Sequence, residues 1–283
     1  MLIEHISDTA RWVAVYRAME TARPDAIFRD PFAARLAGAR GDQIVNTLKQ
    51  GRAMAWAMIV RTAVFDQIIL DAVARQGVDT VVNLAAGLDA RPWRLELPAA
   101  LRWIDVDLPE ILAYKTDTLR DDRPRCRYEA APTDLTDAVA RRALFARIGA
   151  ECRHVLVVTE GLLVYLTEPQ VAALADDLHA QPSFAHWLID LASPRLLGYM
   201  NRSWGKAVRG GNAPFQFAPI ASTDFFAPHG WRVTRFLSSM EEARRLNREM
   251  RGMWLWRFLG RLSSKRKQEE FRRMSAFVLL EPA

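Results

Sequence analysis

Carboxylates recur at the ends of successive apolar runs, and their spacing suits a nucleoside. The run at residues 80–84 breaks into the small turn Ala85-Ala86-Gly87, where the lack of bulky side chains lets a ligand approach the backbone. Asp105 and Asp107 stand 18 and 20 residues beyond Gly87, the distance at which a carboxylate accepts both hydroxyls of a ribose. Further on, Thr133-Asp134-Leu135 offers a carboxylate for an exocyclic amine and an apolar wall for an aromatic ring. Thr159-Glu160-Gly161 brings another carboxylate after the next apolar run.

Such residues meet only if strands deliver them to one rim. Strands are predicted at 80–84, 101–107, 126–130, 154–159, 187–191, 231–237 and 276–280. Helical patterns separate the first five, which implies βαβ units and a mostly parallel sheet. In such a sheet ligands bind beyond the carboxyl ends of the strands. Residues 1–79 read as a helical cap, with helices at 9–20 and 53–74. Arg61 lies in an otherwise buried-looking run, and a buried arginine needs an anionic partner. Thr167-Glu168-Pro169-Gln170 has the form of a capping box. No composition break marks a boundary, so one domain is expected. It divides into the cap (1–79), a cofactor-binding core (80–193), and acceptor-pocket insertions with the last two strands (194–283).

Half of the 283 residues are hydrophobic and 25% are charged, the balance of a globular protein with a sizeable core. The longest uncharged apolar run, residues 53–60, stops at Arg61, whereas a membrane span needs about 20 residues. The start, MLIEHISDTARW, lacks a secretory pattern, and Cys126 and Cys152 make no disulfide scaffold. A cytoplasmic protein is the expectation. His5, His154, His179, His186 and His229 form no metal spacing. The net charge of +6 is matched by residues 241–273 alone, with eleven Arg or Lys against five Glu. A nucleic-acid binder would spread or organise its basic residues, so none is expected. The segment reads as a solvated helical face, a lid that draws in an anion, or a membrane-surface helix.

Two nucleoside cofactors fit the rim. The dinucleotide fingerprint needs three glycines to meet a pyrophosphate, and this turn has only Gly87. A Tyr-x-x-x-Lys pair is also absent. Several carboxylates suit a sulfonium and an ammonium better than two phosphates, which favours S-adenosyl-L-methionine. The stretches SDTARWVAVYRAMETARPDAIFRDPFA, VRTAVFDQ, VVNLAAGLDARPWRL, WIDVDLPEILAYK and VTEGLLVYLTEPQ occur in that order. Over residues 4–180 they resemble the leucine carboxyl methyltransferase family, and in particular bacterial small-molecule members such as polyketide-pathway O-methyltransferases.

The resemblance implies an α/β fold: a seven-stranded, mostly parallel Rossmann-like sheet with helices on both faces, an N-terminal helical cap and an inserted helical lid. It further implies that Arg61 holds the methionine carboxylate of S-adenosylmethionine and that the turn Ala85 to Gly87 passes under its methionine portion. Asp107 would hold the ribose, Asp134 and Leu135 the adenine, and Glu160 the methionine end. Two departures stand out: Ala85 occupies the first glycine of the family's Gly-Ala-Gly turn, and Asp105-Val106-Asp107 replaces the commoner Glu-x-Asp. A carboxylate acceptor is already ionised at neutral pH and needs no base, whereas a phenol does. The rim shows no convincing base, though His5 could fold over it, so a carboxylate of a small anionic or aromatic acid is favoured. Arg17, Tyr165 and the basic segment are its candidate anchors, and Tyr199, Trp204, Trp254, Trp256 and Phe258 its candidate pocket. A protein C-terminal carboxylate as acceptor, or cofactor binding without turnover, are the competing readings.

Overall fold

The computed structural model describes residues 7–47, 51–205, 214–250, 252–253 and 264–283. The seven strands are β1 (Thr80–Leu84), β2 (Arg102–Asp107), β3 (Arg127–Pro132), β4 (Val155–Thr159), β5 (Phe184–Ala192), β6 (Trp231–Ser238) and β7 (Ser275–Pro282). They form one sheet in the order β3-β2-β1-β4-β5-β7-β6. The first five are parallel, and β7 runs antiparallel between β5 and β6. β1 and β4 are buried at every residue, as central parallel strands covered on both faces must be. β5 begins at Phe184, earlier than its apolar run suggests, because Phe184 and His186 extend the pairing with β4.

Alternation along the strands divides the core in two. Val82, Ile104 and Val157 face helices α6 (Ala138–Glu151) and α7 (Glu168–His179) through Phe145, Ile148 and Leu174. On the other face Val81, Trp103 and Val158 meet Val64, Phe65 and Ile68 of α3 (Ala55–Arg75). The cap helices α1 (Ser7–Thr21) and α2 (Ala33–Thr47) form a third cluster through Trp12, Val15 and Leu36, which reaches the sheet's rim at Trp93 and Ile111. Between β1 and β3 lie the single turn α4 (Arg91–Arg94) and α5 (Pro109–Thr118). α7 opens on the expected capping box, with Gln170 Oε1 accepting the Thr167 N–H at 2.8 Å. α8 (Pro194–Ser203) leaves β5 directly and is capped by Ser193, whose hydroxyl accepts the Leu196 N–H at 3.3 Å.

The segment Arg52–Arg75 is long and apolar enough to cross a membrane, yet 61% of its most apolar window is buried inside the protein. Arg61 does not end it. Arg61 and Asp66 are both buried within α3, and their ion pairs make this helix a wall of the site described next.

Candidate active site

The strand ends converge on a cavity of about 1060 Å³, at the upper end of the roughly 300–1,000 Å³ that accommodates a drug-sized ligand. Ala85, Gly87, Asp107, Asp134, Leu135 and Glu160 all line it. The turn after β1 is tight: Ala85 and Gly87 both have φ 53°, and the Ala86 N–H donates to the Val106 carbonyl at 3.2 Å. A Cβ on Gly87 would lie 3.0 Å from the Ala10 Cβ, so a side chain there would press on α1 where it closes over the turn. Ala85 is an L-residue in the left-handed region, which costs about 1–2 kcal/mol. Ala85→Gly removes that strain but gains roughly 0.4–1 kcal/mol of unfolded-chain entropy. A thermal melt should therefore show a small net stabilisation, and a lower midpoint would contradict this account of the turn.

Asp107 and Asp105 occupy neighbouring positions but do different work. The Asp107 carboxylate accepts the Gly87 N–H at 2.6 Å and the Leu108 N–H at 2.7 Å, which fixes its orientation while further lone pairs face the cavity. Asp105 is fully buried and lies outside the lining. It pairs with Lys115 at 2.5 Å and accepts from Trp103 Nε1 at 2.9 Å and Asn83 Nδ2 at 3.3 Å. Lys115 is equally buried. Asp105→Asn should thus destabilise the fold by about 3–5 kcal/mol, because a buried ammonium loses its counter-charge. The folded fraction should still bind cofactor nearly as before. Denaturant titration and calorimetry separate the two effects, and a binding loss without a stability loss would reverse the assignment.

A charged lattice closes the other side. Arg61 of α3 donates Nε to Glu160 and Nη1 to Asp190, each at 3.0 Å. Arg91 meets Asp66 at 2.6 Å, Asp89 at 2.6 Å and Glu160 at 2.7 Å. Arg94 donates Nη1 and Nη2 to the two oxygens of Asp66, both at 2.7 Å. Three guanidiniums thus face the four carboxylates Asp66, Asp89, Glu160 and Asp190, leaving one negative charge for a cationic ligand. Gly161 is required here: its N–H donates to Asp190 at 2.7 Å, and a Cβ would fall 2.8 Å from Arg61 Nη1. Burial alone would raise Asp89, but Arg91, Arg94, Arg17 and Lys115 hold it down at about 2. Burial is likewise outweighed at Glu160 by Arg91 and Arg61, so it stays below the usual carboxylate range. At Asp107 burial prevails over the two backbone donors and raises the carboxyl above its ordinary value.

Two residues of this site were passed over in the reading from sequence. Asp190 lies two residues before the end of β5, whereas Asp107 is the last residue of β2, and the pattern of carboxylates near strand ends was the available signal. Thr62 follows Arg61, lines the cavity, and has a buried Oγ1 with no hydrogen-bond partner among the described residues. Asp134 is exposed, with Oδ1 accepting the Thr136 N–H at 2.9 Å and hydroxyl at 2.7 Å, which leaves Oδ2 open. Leu135 packs on the sheet core.

The two candidate anchors also line the cavity, with different freedom. Arg17 donates Nε to Asp30 at 2.8 Å and Nη2 to the Leu88 carbonyl at 2.6 Å, so most of its guanidinium ties α1 to the neighbouring loops. Tyr165 lies against Phe215, with ring centroids 5.4 Å apart. Burial lifts its hydroxyl above the usual phenol range, which keeps it protonated at neutral pH. His5, Arg251, Trp254, Trp256, Arg257 and Phe258 lie outside the described residues. In the basic segment Arg245, Arg248, Arg266, Arg272 and Arg273 pair with Glu242, Glu20, Glu270, Glu241 and Glu269.

A parallel sheet of this order with a reversed β7, a glycine turn after β1 and a carboxylate at the tip of β2 defines a Rossmann-like methyltransferase fold. Two solved structures share it over nearly their whole length. One is a DUF574 family protein from Streptomyces avermitilis, with TM-score 0.60, 14% identity, and coverage of 95% of this chain and 97% of that one. The other, from Thermobifida fusca, is described as a "putative methyltransferase" and has TM-score 0.58, 11% identity, and coverage of 100% and 96%. At such identities the likeness is one of fold alone. Residues 10–179 match the leucine carboxyl methyltransferase family, and the chain belongs to that family. A relative from Mycobacterium marinum is 35% identical over 193 residues, which span 63% of this chain and 64% of the relative. Another from Streptomyces coelicolor is 31% identical over 243 residues, spanning 80% and 83%. Both are named as a "Putative S-adenosyl-L-methionine-dependent methyltransferase". The first match thus covers just under two thirds of that relative's length.

S-adenosyl-L-methionine is the cofactor for which these relatives are named, and the site's donor set fits it. Arg61 Nη2 makes no hydrogen bond among the described residues, and the unpartnered Thr62 hydroxyl belongs to the same cavity lining. Together they suit a carboxylate. The surplus negative charge of the lattice suits the ammonium and sulfonium.

Proposed function

We propose that the chain transfers the methyl group of S-adenosylmethionine to a carboxylate oxygen of a small organic acid. The observation that carries this reading is the cavity lining, in which the carboxylates among the described residues, other than the Asp107 and Asp134 that the ribose and adenine would occupy, are committed to arginines. The lining contains no histidine among the described residues, and the carboxylates so held are Asp89, Glu160 and Asp190. An acceptor that arrives ionised needs no base, whereas a phenol does. The bound cofactor supplies an electrophilic methyl on a sulfonium. Arg61 and Thr62 would hold its carboxylate, Glu160 and Asp190 its ammonium, Asp107 its ribose, and Asp134 and Leu135 its adenine. The remaining task of the protein is to align the acceptor for in-line displacement and to exclude water. Trp12, Tyr16, Phe215 and the methionines Met58 and Met200 form the apolar wall that does so.

Incubation with methyl-labelled S-adenosylmethionine and a panel of acids tests the reading. The expected product is a methyl ester, whose label is released by mild alkali. Alkali-stable label, as from an ether, would overturn carboxyl transfer.

The ionisation of Asp107 adds a pH signature. Its carboxyl is raised, so between the ordinary carboxylate value and its own value part of the free protein carries Asp107 protonated. Ribose hydroxyls bind the ionised form, so S-adenosylhomocysteine affinity should climb as pH rises through that window and then level. Glu160 and Asp89 are ionised throughout it and contribute no slope. By linkage, the free fold loses stability over the same window, because the unfolded chain releases the proton first. Calorimetry across pH should show the rise in the wild type and a flat profile for Asp107→Asn. A rise that persists in the variant would assign it to another group.

A further inference from the structure

Five arginines line the cavity: Arg17, Arg61, Arg91, Arg195 and Arg202. The first three are answered by carboxylates. Arg195 and Arg202 have no carboxylate partner among the described residues, and both are exposed. Both belong to α8, seven residues apart, so their side chains project within about 20° of each other around the helix. They lie about 10 Å apart along its axis. Tyr199 falls between them on the same side and also lines the cavity. The cavity is therefore electrostatically divided. Its strand-end residues Asp107, Glu160 and Asp190 are at least partly buried, the two unanswered guanidiniums of α8 are exposed, and Met200 and Trp204 add apolar surface to the lining.

This division bears on the acceptor. The oxygen that receives the methyl must reach the strand-end residues, where Arg61, Glu160 and Asp190 would hold the methionine end of the cofactor. The exposed arginines belong to α8 and so face a different part of the same molecule. We propose that Arg195 and Arg202 recognise a second anionic group of the acceptor, one that is not methylated. The substrate class is then a two-ended acid: an apolar body with an oxygen nucleophile at one end and a carboxylate or comparable anion at the other. The product keeps one negative charge at α8. The inference rests on the reading of the cavity as a methyl-transfer site and names the acceptor for it.

Binding tests it without requiring turnover. Aliphatic and aryl dicarboxylates of increasing length, each matched to the monocarboxylate of the same length, are titrated calorimetrically into the protein loaded with S-adenosylhomocysteine. The best dicarboxylate should bind about tenfold more tightly than its monoacid, the scale expected of two partly exposed charge pairs. The advantage should shrink with added salt. In the Arg195→Gln/Arg202→Gln double variant it should fall to about onefold, while the affinity for S-adenosylhomocysteine stays within about two- to threefold. Equal binding of diacid and monoacid at every length, or a preference that survives the double variant, overturns the proposal. Tight, arginine-dependent diacid binding without methyl ester formation would leave this site standing and remove carboxyl transfer. Ester formation without diacid preference does the reverse.

Discussion

Replacing Asp107 by alanine is expected to weaken S-adenosylhomocysteine binding roughly 10- to 150-fold, the loss of about 1.5–3 kcal/mol of hydrogen bonds to a charged group. The carboxylate is aimed before any ligand arrives, because the Gly87 and Leu108 N–H groups clamp it at 2.6 and 2.7 Å. Asparagine is no rescue: both carboxylate oxygens accept a backbone N–H, so its amide nitrogen would have to face one of those donors. The free protein should keep its fold, since the stranded N–H groups lie at a solvent-accessible rim. Calorimetric titration of the variant decides the matter. A loss below about threefold would mean that the ribose is held elsewhere.

The second large effect concerns Arg91, which is 2% exposed and touches Asp66, Asp89 and Glu160 at once. Arg91→Met leaves those carboxylates facing one another across a dry wall. A cost of about 3–5 kcal/mol follows for an uncompensated buried charge, or a fall in melting temperature of roughly 6–20 °C for a chain of this size. Lysine will not substitute, because one ammonium cannot span three partners. The pH dependence identifies the cause. In the wild type Asp89 and Glu160 titrate below their unfolded values, so their contribution is present at neutral pH and lost as pH falls through those folded values. In the variant these groups lose their depression and protonate earlier on acidification, so the stability gap should narrow as the pH drops. A gap that stays constant from neutral to acid pH would point to lost packing and not to lost charge.

Much of this was legible because a parallel sheet leaves a simple trace. β1 and β4 are buried at every position, so they read as short β-branched or apolar runs, interrupted in β1 only by Asn83, and the glycines and carboxylates that follow them mark the rim. Asp107, Asp134 and Glu160 were found by that rule alone. Asp190 obeys the same rule but falls inside an apolar stretch, where an alternation of polar and apolar residues reads as ordinary pleating. The distinction between Asp105 and Asp107 was half visible: two carboxylates two residues apart share a face, and only the arrival of Lys115 from α5 shows which one is neutralised. Arg17 illustrates the opposite limit. Its type suits an acid anchor, but the partner that occupies it, Asp30, comes from a loop whose path no periodicity reports. Charge summed along the chain also misled in one respect. The basic segment carries the excess, yet its described arginines named above are paired with glutamates, and the unpaired guanidiniums that line the cavity sit on α8.

The position of β7 has a consequence for how the protein is made. Among the described residues β6 pairs with no strand but β7, and β7 follows β5 by some 80 residues. Until it emerges, the edge of β5 offers a row of open N–H and C=O groups with Trp187 and Ile189 behind them. At about 5–20 residues per second of synthesis, that edge waits unpaired for roughly 4–16 s. A ribosome that stalls between β5 and β7, or a frameshift there, would release a chain that has the residues lining the strand-end rim but whose sheet has an adhesive border. Such products should be recovered with holdase chaperones or in the insoluble fraction, even though every residue of the methyl-donor site has already been translated.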